Sequence, residues 1–318
     1  MQPATAETGA VDEAPWNNRL IAVSFIIAAT CLTNLQDTFI KRISGSYPFH
    51  EMQSVRCVAA LAVLSTYAVL ASDTVMLPTN LLLPVLSRGA ALALASALYY
   101  LCASGMPLPG AVALYFTMPL LVAVLAGPLL GERVPLERWM VIGVGLAGVL
   151  LMVRPGGDSF SPAAIFGIAA ALCYAAGNLI TRRIGPTVSA LQIAFWSGVM
   201  YAAVALALAA IFGTGAFESH GSSSLTYLTR PWVTPRAADL ALFVVLGIST
   251  AVLMGLYVVA YRRAEASFVA PFEYSAMFWA VLFGWLLLGS WPDSNLLVGA
   301  VVIIGSGVFL MVREGRQR

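Results

Sequence analysis

The chain has 318 residues, of which 60% are hydrophobic and only 10% charged, with a mean hydropathy of +0.86. A water-soluble domain carries about 25% charged residues, so this composition excludes a soluble globular protein. The net charge of +2 is spread thinly along the chain, which leaves no basic patch for nucleic acid.

In chain order, residues 1–18 are polar and form an N-terminal tail. Apolar stretches of about 20 residues then alternate with short polar breaks, the pattern of transmembrane helices. The predicted spans cover 19–41, 51–71, 84–105, 108–130 and 135–154, then 162–184, 188–212, 237–262, 266–288 and 293–312. Breaks fall at Gly and Pro clusters such as Ser46-Tyr47-Pro48, Met106-Pro107-Leu108-Pro109 and Arg154-Pro155-Gly156-Gly157. The longest connection, 214–236, is rich in Gly and Ser and reads as a mobile surface loop without chemistry of its own. Cys31, Cys57, Cys102 and Cys173 lie inside apolar spans without metal-ligand spacing and read as small core residues.

The second half repeats the first. Lys41-Arg42-Ile43 is echoed by Arg182-Arg183-Ile184, Leu130-Gly131 by Leu288-Gly289, and Met152-Val153-Arg154 by Met311-Val312-Arg313. The halves are residues 19–155 and 160–313, with 314–318 as a tail. Five spans per half is an odd number, so the two units enter the membrane in opposite senses, an inverted repeat of the kind found in secondary transporters. With the N-terminus inside, eleven basic residues face the cytoplasm and five the outside, so both termini are expected to be cytoplasmic. Small residues spaced by four, at Ala163, Gly167, Ala171 and Ala175 and at Gly89, Ala93 and Ala97, predict close helix packing.

Polar groups within spans are costly in lipid and mark candidate sites. Thr30, Asn34, Asp37, Thr38 and Lys41 fall on one face of the first helix, with Asp37 and Lys41 spaced for an intrahelical ion pair. Arg56 can hold a carboxylate or phosphate in a bidentate fork, or pair structurally with Asp37 or Glu51. Glu273, in Ala270-Pro271-Phe272-Glu273-Tyr274, is either a cavity carboxylate or a partner of Arg262 or Arg263. Tyr99, Tyr100, Tyr115, Tyr174, Trp196, Tyr257, Tyr274 and Trp279 also lie within spans, where a tyrosine hydroxyl needs a partner. Matching the halves sets Asn178 opposite Asp37 and Glu273 opposite Tyr115, so the charges differ where the scaffold does not.

These features resemble the drug/metabolite transporter superfamily, specifically a chain of two EamA domains covering about residues 19 to 313. The likeness rests on Asp37, Lys41 and Arg56, on Leu130-Gly131-Glu132-Arg133-Val134-Pro135, and on Ala270-Pro271-Phe272-Glu273-Tyr274 with Leu288-Gly289. The second turn departs from the family pattern, with Ser290-Trp291 where a glutamate is usual. The resemblance implies an all-α integral membrane protein of ten transmembrane helices, as two inverted five-helix repeats around a central cavity. Such members carry amino acids, amines, nucleobases, vitamins such as riboflavin, or S-adenosylmethionine.

The expected function is secondary active transport of a small polar metabolite by alternating access, with proton coupling an option offered by Asp37 and Glu273. The expected substrate-binding residues are Asn34, Asp37, Lys41, Arg56, Tyr99, Tyr115, Asn178, Tyr257, Glu273 and Tyr274. No cofactor, metal or nucleic acid is expected. The partners are the small-molecule substrate and membrane lipid, in a monomer or homodimer of the bacterial inner membrane. The alternatives are an intramembrane enzyme, poorly supplied with only His50 and His220, and a non-transporting sensor or assembly partner. No phosphate-binding loop of the Gly-x-x-x-x-Gly-Lys-Ser/Thr type occurs, so direct use of ATP is not expected.

Overall fold

The protein is described by a computed structural model covering residues 16–118, 161–184, 188–263 and 275–316, with Phe272 and scattered positions between 121 and 151. Among the described residues the regular elements are helices. These are α1 (Trp16–Ile43), α2 (Phe49–Leu70), α3 (Thr79–Gly105) and α4 (Leu108–Tyr115) in the first half. The second half holds α5 (Ala164–Ile184), α6 (Ala190–Phe212), α7 (Ser223–Thr229), α8 (Ala237–Arg263), α9 (Ser275–Leu288) and α10 (Ser294–Arg316).

The helix starts follow from local chemistry. Pro48, Pro78 and Pro107 occupy the caps ahead of α2, α3 and α4. Proline has no backbone N–H to leave unpaired and cannot extend a helix backwards. At α6 the Ser189 side chain accepts from Gln192 N while the Gln192 side chain accepts from Ser189 N, a reciprocal capping box.

Six of the described helices are long and apolar enough to cross a membrane: Leu20–Ile43, Phe49–Leu70, Thr79–Gly105, Ala164–Thr181, Ala190–Phe212 and Ala237–Tyr257. The predicted fourth and fifth spans lie largely outside the described residues, and the ninth is described only as the 14 residues of α9. Outward-facing side chains are as apolar as inward ones, with Val58, Val69, Leu70, Leu83 and Val301 all exposed. Helices apolar on every side suit a lipid surround and not water.

The helices pair mainly across the two halves. α3 lies on α5 and α6, α2 on α6 and α8, α1 on α8 and α9, and α4 on α5 and α9. Exchanging α1 with α5, α2 with α6, α3 with α8 and α4 with α9 maps this set of contacts onto itself, the mark of an internal two-fold relation. Side-chain contacts give the helix directions. Asp37 meets Tyr99 and Tyr100 while Lys41 meets Ala103 and Met106, so α1 and α3 run parallel. Gly167 lies against Cys102, Gly177 against Leu92, and Thr181 against Arg88, so α3 and α5 run antiparallel. The matched helices α1 and α5 therefore point in opposite senses.

The small-residue stripes are where these helices touch. A Cβ on Gly167 would sit 2.9 Å from Cys102 Sγ, one on Gly89 2.9 Å from Met200 Cγ, and one on Gly105 2.6 Å from Ala163 Cβ. Cys57 and Cys102 are buried, Cys31 and Cys173 half-buried, and all four are free thiols.

The connection 214–236 differs from the expected mobile loop. It contains α7 and is fastened over the end of the bundle where α1 finishes and α2 begins. Tyr227 is fully buried and packs edge-on against Phe49, whose ring in turn lies 6.1 Å from Tyr100. Ser224 donates to Leu101 O at 2.6 Å, Arg230 to Gly45 O at 2.6 Å, and Val233 N to Glu51 Oε2 at 3.0 Å. Periodicity could not register this because the segment is too short and polar to show any. Its order comes from partners distant in sequence.

Candidate functional site

α1 is apolar where it meets lipid and polar where it meets α3, α8 and α9. Its inward stripe is buried: Thr30, Asn34, Gln36, Asp37 and Thr38 are each 5% exposed or less. A polar stripe this dry needs partners, and most of it has them. Thr30 exchanges a hydrogen bond with Ser275 at 2.8 Å, Asn34 donates to Thr30 O, and Thr38 donates to Asn34 O. Asp37 accepts from Tyr99 at 2.8 Å through Oδ2 and from Tyr100 at 3.1 Å through Oδ1. Two phenols thus hydrogen-bond a carboxylate that is almost wholly buried.

Beside this carboxylate lie two adjoining lobes of cavity that share part of their walls. The first, about 240 Å³, is walled by Thr30, Asn34 and Asp37 of α1, Tyr99 and Tyr100 of α3, Tyr115 at the end of α4, Tyr174 of α5, Tyr201 of α6 and Tyr257 of α8. The rings form an arc, with centroids 5.4 Å apart for Tyr99–Tyr100, 5.2 Å for Tyr99–Tyr115 and 5.1 Å for Tyr115–Tyr174. The second lobe, about 170 Å³, is walled by Gln36, Gln53, Arg56, Cys57 and Thr250. Thr33, Asp37, Ser96, Tyr100 and Tyr201 belong to both lobes.

Arg56 organises the second lobe. Nη1 donates to Gln53 Oε1 at 3.0 Å and to Tyr100 Oη at 3.4 Å, and Nη2 to Gln36 Oε1 at 3.0 Å and Thr250 Oγ1 at 3.2 Å. Its Cζ stands 5.6 Å from the Tyr100 ring centroid, within cation–π range. The Tyr100 hydroxyl sits between guanidinium and carboxylate, accepting from Arg56 and donating to Asp37. The ion pair expected between Asp37 and Arg56 is therefore relayed through a phenol. Glu51, the other partner considered for Arg56, accepts from Val233 N instead.

Of the ten residues expected in the site, the structure brings Asn34, Asp37, Arg56, Tyr99, Tyr115 and Tyr257 to this cavity. Lys41 is elsewhere. It does not pair with Asp37, and its Nζ donates to Ala103 O and Met106 O, closing off carbonyls at the end of α3. Asn178 donates to Met118 Sδ at 3.4 Å. Glu273 and Tyr274 lie outside the described residues. Reading the sequence missed Gln36, Ser96, Tyr201 and Thr250 as cavity residues. Gln36 and Thr250 carried a signal, as uncharged polar groups inside apolar spans, but nothing local says which face such a residue takes.

A bundle of membrane-length helices whose two halves interlock around a buried polar cavity defines a polytopic integral membrane protein. The sequence profile of the EamA-like transporter family matches residues 20–154 and again residues 161–313, and the chain belongs to that family. It is 31% identical over 216 residues to a riboflavin transporter of Rhizobium johnstonii, covering 67% of this chain and 65% of that one. It is 26% identical over 208 residues to an S-adenosylmethionine uptake transporter of Rickettsia bellii, covering 65% of each chain. The chain thus spans just under two thirds of the length of these relatives. A pseudopaline exporter of Pseudomonas aeruginosa is 22% identical over 284 residues, 89% of this chain and 93% of that one. A crystal structure with 18% identity superposes over 92% of this chain and 96% of its own with a TM-score of 0.61, a likeness of fold.

Proposed function

We propose that this chain is a secondary transporter that moves a small polar metabolite across a bacterial inner membrane by alternating access. On this reading ten spans form two inverted five-helix repeats, both termini are cytoplasmic, and the protein works as a monomer or homodimer. The observation that carries the proposal is Asp37, a carboxylate 5% exposed, held by two tyrosines on the wall of a cavity between the halves. Structural ion pairs do not need a cavity beside them, whereas a binding site does. The opposed directions of α1 and α5 and the two-fold pattern of helix contacts support the exchange of roles that alternating access requires. The names of the relatives, carriers of riboflavin and of S-adenosylmethionine, support a metabolite cargo.

Toward the α7 end Tyr100, on the cavity wall, packs on Phe49 and Phe49 on Tyr227, an aromatic stack that would close that side in one half-cycle of the motion. The test is uptake or counterflow in proteoliposomes. Asp37→Asn keeps the side chain's shape but turns one acceptor oxygen into an N–H donor and loses the charge, and flux should fall by about tenfold or more, as for loss of a charge-assisted contact. Full flux in that variant removes Asp37 from the site. An imposed pH gradient that leaves flux unchanged removes proton coupling.

A further inference from the structure

The two lobes differ in what they leave unpaired. In the first lobe the only described buried side-chain atom without a partner is Asn34 Oδ1, an acceptor on a residue 2% exposed. Asn34 lines this lobe together with Asp37 and the tyrosines of the arc. Acceptors, negative charge and aromatic faces together favour a cationic group. In the second lobe the corresponding atom is Arg56 Nε, a donor on a residue 5% exposed. Its four other guanidinium bonds are made to neutral oxygens, so among the described residues its positive charge meets no carboxylate directly. A buried donor left open on a charged fork favours an anionic group, above all a carboxylate. Buried polar atoms are nearly always paired, and one open acceptor and one open donor in adjoining lobes call for a ligand that supplies both complements.

We infer that the cargo is a zwitterion held at both ends, with its cationic group among the tyrosines at Asn34 and Asp37 and its carboxylate on Arg56. This deepens the transport reading and rests on it. Tyr100, which hydrogen-bonds both Asp37 and Arg56, is the divider across which such a molecule would lie. A singly charged solute satisfies one lobe and leaves the other charge buried and unanswered, so the arrangement selects against it.

The experiment uses the purified full chain in detergent and reads the shift of its thermal midpoint during ligand titration. The probes are the common amino acids, S-methylmethionine and glycine betaine. For each amino acid the methyl ester removes the anion, and the N-acetyl form removes the cation. At least one zwitterion should bind about tenfold or more tightly than its ester and its N-acetyl form. Arg56→Gln should bind that zwitterion and its ester equally. Asn34→Ala should weaken both of these and spare the N-acetyl form, which keeps the proposal testable should Arg56→Gln fail to fold. The inference is overturned if no zwitterion in the panel binds, or if the ester matches its parent in the wild type. Counterflow in proteoliposomes separates the two levels. A neutral vitamin carried in place of every zwitterion leaves the transport reading standing and removes this one, whereas no flux of any metabolite class removes the transport reading first.

Discussion

Gly247 is where the site depends most directly on helix packing. A Cβ there would fall 2.5 Å from Arg56 O, 2.6 Å from Ala59 Cβ and 3.1 Å from Arg56 Cα. Two of those neighbours are backbone and cannot rotate away. In Gly247→Ala, α2 and α8 must part by about 0.9 Å, the shortfall between 2.5 Å and the 3.4 Å at which ordinary contact begins. The Arg56–Thr250 hydrogen bond, already 3.2 Å long, does not survive a displacement of that size. Overpacking costs about 1–3 kcal/mol and a hydrogen bond to a charged group about 1.5–3 kcal/mol, so the two losses together come to about 2.5–6 kcal/mol. Alanine's better helix propensity returns about 1 kcal/mol. Gly255→Ala, one helix stretch further along α8 with open space around its Cβ, gains the same propensity with no clash and serves as the reference. Thermal unfolding in detergent, with proteoliposome flux alongside, compares the two. Equal midpoints and equal flux in Gly247→Ala and Gly255→Ala would refute the reasoning that this crossing sets the geometry of the Arg56 lobe.

Lys41→Met keeps the length of the side chain and removes its bonds to Ala103 O and Met106 O, so the thermal midpoint should fall by the equivalent of about 1–3 kcal/mol with cargo affinity unchanged. Lost affinity at unchanged stability would instead make Lys41 a binding residue. Tyr47, in the turn between α1 and α2, donates to Asp239 Oδ2 at 2.6 Å, and this bond to a carboxylate raises the phenol's pKa above its usual value. A raised folded-state pKa means the stabilisation is complete below about pH 10 and is lost as pH climbs through the folded value. The wild type should therefore lose stability across that alkaline window, and Tyr47→Phe should lose the part of that slope that belongs to this phenol. An identical slope in both proteins would show that Tyr47 does not contribute.

The legible part of the site was the part written as charge. Asp37 and Arg56 stand out because a charge inside an apolar span is costly wherever it points. The cavity wall was less legible. Tyr201 sits in a run of small and apolar residues on α6 and reaches both lobes, yet no periodicity separates it from a packing tyrosine. Lys41 shows the opposite failure. Four residues after Asp37 it reads as an ion-pair partner, but the end of α3 offers carbonyls that an isolated helix does not contain.

Composition alone determined that the chain lives in lipid, because a surface with so few charges has no other stable solvent. Repetition of sequence alone determined that the halves share a scaffold, and the opposed directions of α1 and α5 came from the contacts of the structure. Only the tertiary structure decided that α1 faces α3 and α8 with its polar stripe, that Tyr100 stands between Asp37 and Arg56, and that residues 214–236 fold over the bundle end. The reason is that hydropathy and helical period act within one element, whereas each of these is a contact between elements. Such contacts are chosen by shape, by close approach at glycines such as Gly247 and Gly167, and by which buried polar atoms find partners.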